Sequence, residues 1–284
     1  MFYTMNNLKI YLYVTEYVIP PEDEGLEVLN INKEQVEILL AASFIDPPKD
    51  VLWLTDDQEL IDQLEQHNLP VAAVETNNGG IKRASFVFTD VHELEVEDFY
   101  RVYQRFNNMP WYITESERTY IREIDVRNTD DLDALISLYN EPGITDYMEG
   151  LYEYDKEKEY QENYVKYIYK FYGYGLWLVF SKENNKLIGR AGLESRDKCA
   201  EAEAEMGYVI AVDYQNQGYA YEVCQAIIDY AKKNLNLNRL KVRIHPYNEP
   251  SIRLAASLGF TGDSRDENGD RVMMLEINNA WSYN

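Results

Sequence analysis

The chain has 284 residues and carries 50 Asp+Glu against 27 Lys+Arg, a formal net charge of −23. That length exceeds the usual single domain, so two domains are expected, each with room for a sizeable core. The charge excludes prolonged contact with a nucleic-acid backbone, which rests on cationic side chains that release counterions from phosphates. It favours cationic partners, although an acidic surface also serves solubility alone. Two cysteines, Cys199 and Cys224, and three His form neither a disulfide framework nor a set with zinc-ligand spacing, so no metal is expected. The first residues, "MFYTMNNLKIYLYV", lack a cationic start and a continuous apolar core. Neither a signal peptide nor a membrane span is expected, and the default location is a reducing cytoplasm.

In chain order, "NKEQVEILLAASF" predicts a helix starting at Asn32, with Val36, Leu39 and Leu40 on one face. "VLWLTDD" is an apolar strand run ending in acidic residues, "QELIDQLEQHN" places Leu60, Ile61 and Leu64 at helical spacing, and "PVAAVET" is a second strand. "ASFVFTDV" predicts a third strand in the same style. This alternation implies parallel strands with right-handed crossovers, a small Rossmann-like α/β domain. Its acidic strand ends resemble a half of the haloacid dehalogenase superfamily. The nucleophile motif of that superfamily, Asp-x-Asp near the domain start, has no counterpart before Val51, where Asp23 stands in "PEDEG" and Asp46 in "FIDPP". Thr55, Asp56 and Asp57 therefore cannot run phosphoryl transfer through an aspartyl-phosphate, and Asp56 and Asp57 read as a helix N-cap and first-turn charges.

"VEDFYRVYQRF" is a helical pattern broken by Asn107, Asn108 and Pro110, so a boundary is expected near Trp111, dividing residues 1–112 from 113–284. Beyond it a strand is predicted at Tyr120 to Ile124, then a helix capped by Thr129 and ending near Gly143. Tyr160, Tyr164, Tyr167, Ile168 and Phe171 follow at spacings that make one helical stripe. Strands are predicted in "LWLVFS", "KLIGRAGLES", "AEAEMGYVIA", "LKVRIHP" and "RVMMLEI", with helices in "AYEVCQAIIDYAKKN" and "EPSIRLAASLGF".

Between a strand and a helix stands "QNQGYA", residues 215 to 220. A loop there leads exposed backbone N–H groups to a helix N-terminus, an anion site made of neutral amides and a dipole end. Gly218 allows close backbone approach and Ala220 avoids crowding. "QNQGYA" fits the Gln/Arg-x-x-Gly-x-Gly/Ala signature of the GNAT superfamily of N-acetyltransferases. "NEPSIRLAASLGF", Asn248 to Phe260, matches that superfamily's Asn-x-x-Ser then Gly-Phe segment. The resemblance covers about residues 115 to 278, and "EMGYVIAVDYQNQGYAYE" looks most like the subgroup that includes the ribosomal-protein N-terminal alanine acetyltransferases.

The resemblance implies a mixed central sheet flanked by helices, and acetyl-coenzyme A as donor. Its pyrophosphate would lie on the amides of Gln215, Asn216, Gln217, Gly218, Tyr219 and Ala220, and its pantetheine along Val209, Ile210 and Ala211, with an amide near Ile210 receiving the thioester oxygen. Asn248 would hold the pantetheine arm while also capping its helix through Ser251.

Direct transfer to a primary amine needs a proton removed, because an α-amino group has a pKa of about 8 and a lysine about 10.4. Glu205 is the candidate base, with Glu194 on the adjacent strand in reserve. Many members carry a Tyr four residues after the Ser, where this chain has Ala255, so Ser251, Tyr247 or solvent would protonate the leaving thiolate. Glu149, Glu153 and Asp155 near the tyrosine stripe suit a cationic amine acceptor. Because that Tyr is missing, the alternative is a non-catalytic acyl-coenzyme A sensor or scaffold.

Overall fold

The computed structural model describes residues 8–13, 36–40, 51–75, 81–89, 96–195 and 202–277, and the chain divides into two compact units, Met1–Met109 and Pro110–Asn284. Asn32, Asp23, Asp46 and Cys199 lie outside the described residues.

Among the described residues the first unit holds five strands, β1 (Leu8–Tyr13), β2 (Val36–Leu40), β3 (Val51–Thr55), β4 (Val71–Val74) and β5 (Val87–Phe88), ordered β2-β1-β3-β4-β5. All neighbours run parallel. Every residue of β3 and β4 is buried, which is why both read as continuous apolar runs rather than alternating ones. Helix α1 (Gln58–Gln66) buries Leu60, Ile61 and Leu64, and Asp57 caps it by accepting from the N–H of Glu59 at 2.9 Å and of Leu60 at 3.2 Å. Helix α2 (Val96–Phe106) completes the unit.

One expectation is overturned here. Val36–Leu40 is a strand in register with β1, not part of a helix. Short apolar runs fit either period, and pairing along a parallel neighbour decides between them.

Among the described residues the second unit is built on an eight-stranded sheet, ordered β12-β13-β11-β10-β9-β8-β7-β6. Its strands are β6 (Tyr112–Glu115), β7 (Thr119–Arg122), β8 (Leu176–Ser181), β9 (Leu187–Glu194), β10 (Glu203–Ile210), β11 (Arg239–Ile244), β12 (Thr261–Arg265) and β13 (Arg271–Glu276). All neighbours are antiparallel except β10 and β11, which run parallel. On one face, α5 (Tyr219–Asn234) sets Tyr230 edge-on to Trp177 at 5.7 Å. On the same face, α6 (Glu249–Ser257) receives the Tyr208 hydroxyl on the Ser251 carbonyl at 3.2 Å. The opposite face carries α3 (Asp130–Tyr139), α4 (Tyr154–Asn163) and a π-helical segment, Tyr164–Tyr169, that continues α4. Cys224 on α5 is fully buried, and burial pushes its thiol well above the usual range.

Two local expectations on this second face fail for physical reasons. Thr129 precedes α3 without a side-chain cap, and Asn128 accepts the Asp130 N–H at 3.0 Å instead. The tyrosine stripe is not continuous, because the π turn takes more residues per turn than an α-helix and moves the buried face onto Tyr164, Val165 and Tyr169. Tyr167 is left 55% and Phe171 80% exposed. The buried hydroxyls serve the fold. Tyr164 accepts the Leu176 N–H at 3.0 Å, and Tyr169 donates to the Leu176 carbonyl at 2.5 Å.

Candidate active site

The parallel joint at β10 and β11 is short. Register runs from Glu203 opposite Arg239 to Glu205 opposite Lys241 and stops, although β10 continues through Ile210 and β11 through Ile244. On its other side β10 pairs with β9 from Glu205 opposite Glu194 to Ile210 opposite Gly189. The last residues of β10 thus border an opening between two diverging strands.

Backbone direction alternates along a strand, and this sorts the residues expected to bind a ligand. The Ala211 N–H donates to the Ile188 carbonyl at 2.8 Å, so Ala211 and Val209 present their main chain to β9. Tyr208 and Ile210 present theirs to the opening. The Ile210 carbonyl there accepts from Gln215 Nε2 at 2.9 Å, which leaves the Ile210 N–H as the donor on that edge. Of the expected trio, Ile210 alone aims its backbone where a pantetheine arm would lie. Tyr208 joins it, a residue that strand alternation would have found.

After Ala211 a 3₁₀ turn, Val212–Tyr214, leads into the loop. The Gln215 N–H is engaged by the Val212 carbonyl at 3.2 Å, so the loop's open donors begin one residue later. Asn216 at φ +58° and Gly218 at φ +85° are both left-handed, and Gly218 is the N-cap of α5. The first backbone bond at the helix start runs from the Glu222 N–H to the Gly218 carbonyl at 3.1 Å. Among the described residues, no protein acceptor is recorded for the N–H groups of residues 216–221, including those of Gln217, Tyr219 and Ala220. Left-handed residues feeding a helix N-terminus form an anion-binding concavity without any formal charge. The loop is thus uncharged, whatever the net charge of −23 elsewhere on the chain.

On the α6 side, Asn248 Oδ1 accepts the Ser251 N–H at 3.2 Å, an N-cap that leaves the amide nitrogen of Asn248 facing away from the bond it makes. The Ser251 carbonyl is the one held by Tyr208, whose phenol is raised above its usual range by burial. Tyr247 is exposed and its ring is tilted against His245, 5.5 Å away, which in turn lies 5.2 Å from Tyr147. Ala255 is 1% exposed, so its position faces the core.

Glu205 and Glu194 stand directly opposite one another on β10 and β9, hence on one face of the sheet. Glu205 is buried and ion-paired with Arg243 at 3.4 Å, while Glu194 accepts from the Tyr164 hydroxyl at 3.3 Å. Glu149, Glu153 and Asp155 are all exposed, around and at the start of α4. Arg118, which no local pattern announced, reaches the loop from the turn between β6 and β7 and donates to the Gln217 carbonyl. Among the described residues there is no cluster of three metal-ligating side chains, and no helix is long and apolar enough to cross a membrane.

The family model for the acetyltransferase (GNAT) domain matches residues 118–261, which span β7 to the start of β12. The chain is 31% identical over 148 residues to the protein called uncharacterized N-acetyltransferase p20 of Bacillus licheniformis, covering 51% of this chain and 80% of that one. Among solved structures it is similar to ribosomal-protein-S5-alanine acetyltransferase from Vibrio fischeri, with a TM-score of 0.51 at 20% identity over 60% of this chain and all of that one. A ribosomal L7/L12 α-N-protein acetyltransferase matches with a TM-score of 0.50 at 17% identity, over 58% of this chain and 93% of the other. The splayed strands and the loop of left-handed residues at a helix start thus occur within a domain matched along half of the sequence, and the chain belongs to the GNAT family of acetyltransferases.

Proposed function

We propose that the second unit transfers an acetyl group from acetyl-coenzyme A directly to a primary amine. The observation that carries this is the divergence of β10 from β11 immediately upstream of the left-handed loop, since it aligns a free strand edge with a set of neutral anion donors. In this reading the N–H groups of residues 216–221 hold the pyrophosphate, and the edge at Tyr208 and Ile210 holds the pantetheine arm by strand-like bonds. Asn248 adds a side-chain contact. The Ile210 N–H faces the charge that develops on the thioester oxygen, where a fixed donor acts most strongly.

Glu205 removes the proton from the incoming amine, with Glu194 across from it on the same face as the second carboxylate. Ser251, in the first turn of α6, or solvent returns a proton to the departing thiolate. The exposed Glu149, Glu153 and Asp155 attract a cationic acceptor. The names of the structural relatives make an amine on a protein, such as an N-terminal alanine, one candidate acceptor, and the cytoplasm is the proposed location. The first unit, Met1–Met109, is proposed as a Rossmann-like half domain akin to haloacid dehalogenases with no chemistry of its own.

The test is free-thiol release from acetyl-coenzyme A with a panel of polyamines, lysine peptides and peptides with free N-termini. Turnover that falls by about a hundredfold in Glu205→Gln, the scale of a lost general base, supports the account. Coenzyme A binding without turnover on any amine would replace it with an acyl-coenzyme A sensor, the reading that the core-facing Ala255 favours.

A further inference from the structure

Arg118 lies in the turn closed by the Ser116 N–H on the Thr119 carbonyl at 2.8 Å, 99 residues before Gln217. From there it takes hold of three residues of the loop and helix start. Its backbone N–H donates to Glu222 Oε1 at 2.7 Å and its Nε to Oε2 at 2.8 Å. Both terminal nitrogens donate to the Gln217 carbonyl at 3.2 Å, and the guanidinium carbon sits 3.9 Å from the centre of the Tyr219 ring. A planar fork can make these contacts together, whereas an ammonium cannot.

The consequence lies in one peptide plane. The carbonyl and the N–H of a trans peptide point in opposite directions, so a cation gripping the Gln217 carbonyl turns the Gly218 N–H away from itself. Gly218 tolerates the positive φ that this orientation demands. If that peptide flipped, a carbonyl oxygen would replace a donor in the anion site. Glu222 poses a second problem, because a carboxylate in the first turn of a helix repels an anion bound at the same end. Arg118 pairs with it at 2.7 Å and offsets that charge.

We propose that Arg118 is a positioning residue for the pyrophosphate of the acetyl donor: it locks the peptide between Gln217 and Gly218 with its N–H available, and neutralises Glu222 beside the bound phosphates. The inference rests on the reading that this loop binds coenzyme A. Arg118 touches no reacting atom, so its effect belongs to donor affinity rather than to the chemical step.

The test compares the full-length wild type with Arg118→Gln and Arg118→Lys, using calorimetric titration with coenzyme A and steady-state kinetics with two donors, acetyl-coenzyme A and acetyl-pantetheine. Charged hydrogen bonds of this kind predict a Kd for coenzyme A and a KM for acetyl-coenzyme A raised about tenfold or more in Arg118→Gln, with kcat within about twofold. Arg118→Lys keeps the charge without the fork and is expected to fall between the two. Acetyl-pantetheine has no pyrophosphate, so its use is expected to change little in either variant. Equal losses with both donors would show a merely structural role and overturn the proposal, as would an unchanged Kd. A wild type that does not bind coenzyme A overturns the loop's assignment, and this inference with it.

Discussion

Strand β10 has two halves that behave differently. Its first three residues, from Glu203 to Glu205, pair with β11, and their acidic side chains meet Lys241 at 3.2 Å, Arg239 at 3.6 Å and Arg243 at 3.4 Å. Its remaining residues pair with β9 alone. The first half is a buried, charge-stitched root, and the second is an open edge backed by one neighbour. The two halves also divide the electrostatics. Formal charges fasten the scaffold, while the surface proposed for an anionic donor is made of uncharged amides. Glu205 stands where the halves meet, as the last paired residue before the divergence.

Breaking the root should have the largest effect. Lys241→Met removes the ammonium partner of the buried Glu203, which keeps Arg239 at 3.6 Å, and is expected to lower stability by about 3 kcal/mol, whereas the double change Glu203→Leu with Lys241→Met should restore most of it. Denaturant melts of the two variants check this, and a double variant as unstable as the single one would deny the pair its role. Next comes the support of the open half. A Cβ on Gly192, directly opposite Gly207, would sit 2.0 Å from the Gly175 carbonyl, so Gly192→Ala should destabilise by about 1–3 kcal/mol as β8 is pushed off β9.

Gly218→Ala sharpens the contrast by sparing the root. A Cβ there would meet Arg118 at an ordinary 3.6 Å, so the penalty is backbone strain alone, about 1–2 kcal/mol. Coenzyme A affinity is expected to fall about five- to thirtyfold while the melting of β10 and β11 stays close to wild type.

The smallest effect concerns pH. Burial acts to raise the Glu222 carboxyl, but hydrogen bonds from Ser116 and from the backbone and side chain of Arg118 outweigh it and hold the group below its ordinary 4.5. Its contribution is therefore fully present above that value and lost as pH falls through the lower folded-state value. Denaturant melts carried into the acid range should show the wild type losing stability there more steeply than Glu222→Gln.

The contrast along β10 also explains what could be read from the residues alone. The strand, loop and helix from Tyr208 to Glu222 were legible because a β-branched run, one Gly and an amphipathic pattern follow each other without interruption. The paired carboxylates were found as candidates, yet their ion pairs were not, since Arg243 arrives from a strand whose register is set by the fold. Arg118 had no local signal at all, and neither did the π turn that broke the tyrosine stripe, because both depend on elements far apart in sequence. Val36–Leu40 was misjudged for the same reason. β12 went unseen because all five of its residues are exposed and no alternation marks it.

Hydrogen exchange of backbone amides with and without coenzyme A tests the central claim most directly. Protection is expected in peptides covering residues 208–221, where the edge of β10 and the loop donors lie, with little change in β12 and β13 or in the first unit. Coenzyme A that binds while leaving residues 208–221 unprotected would contradict the account.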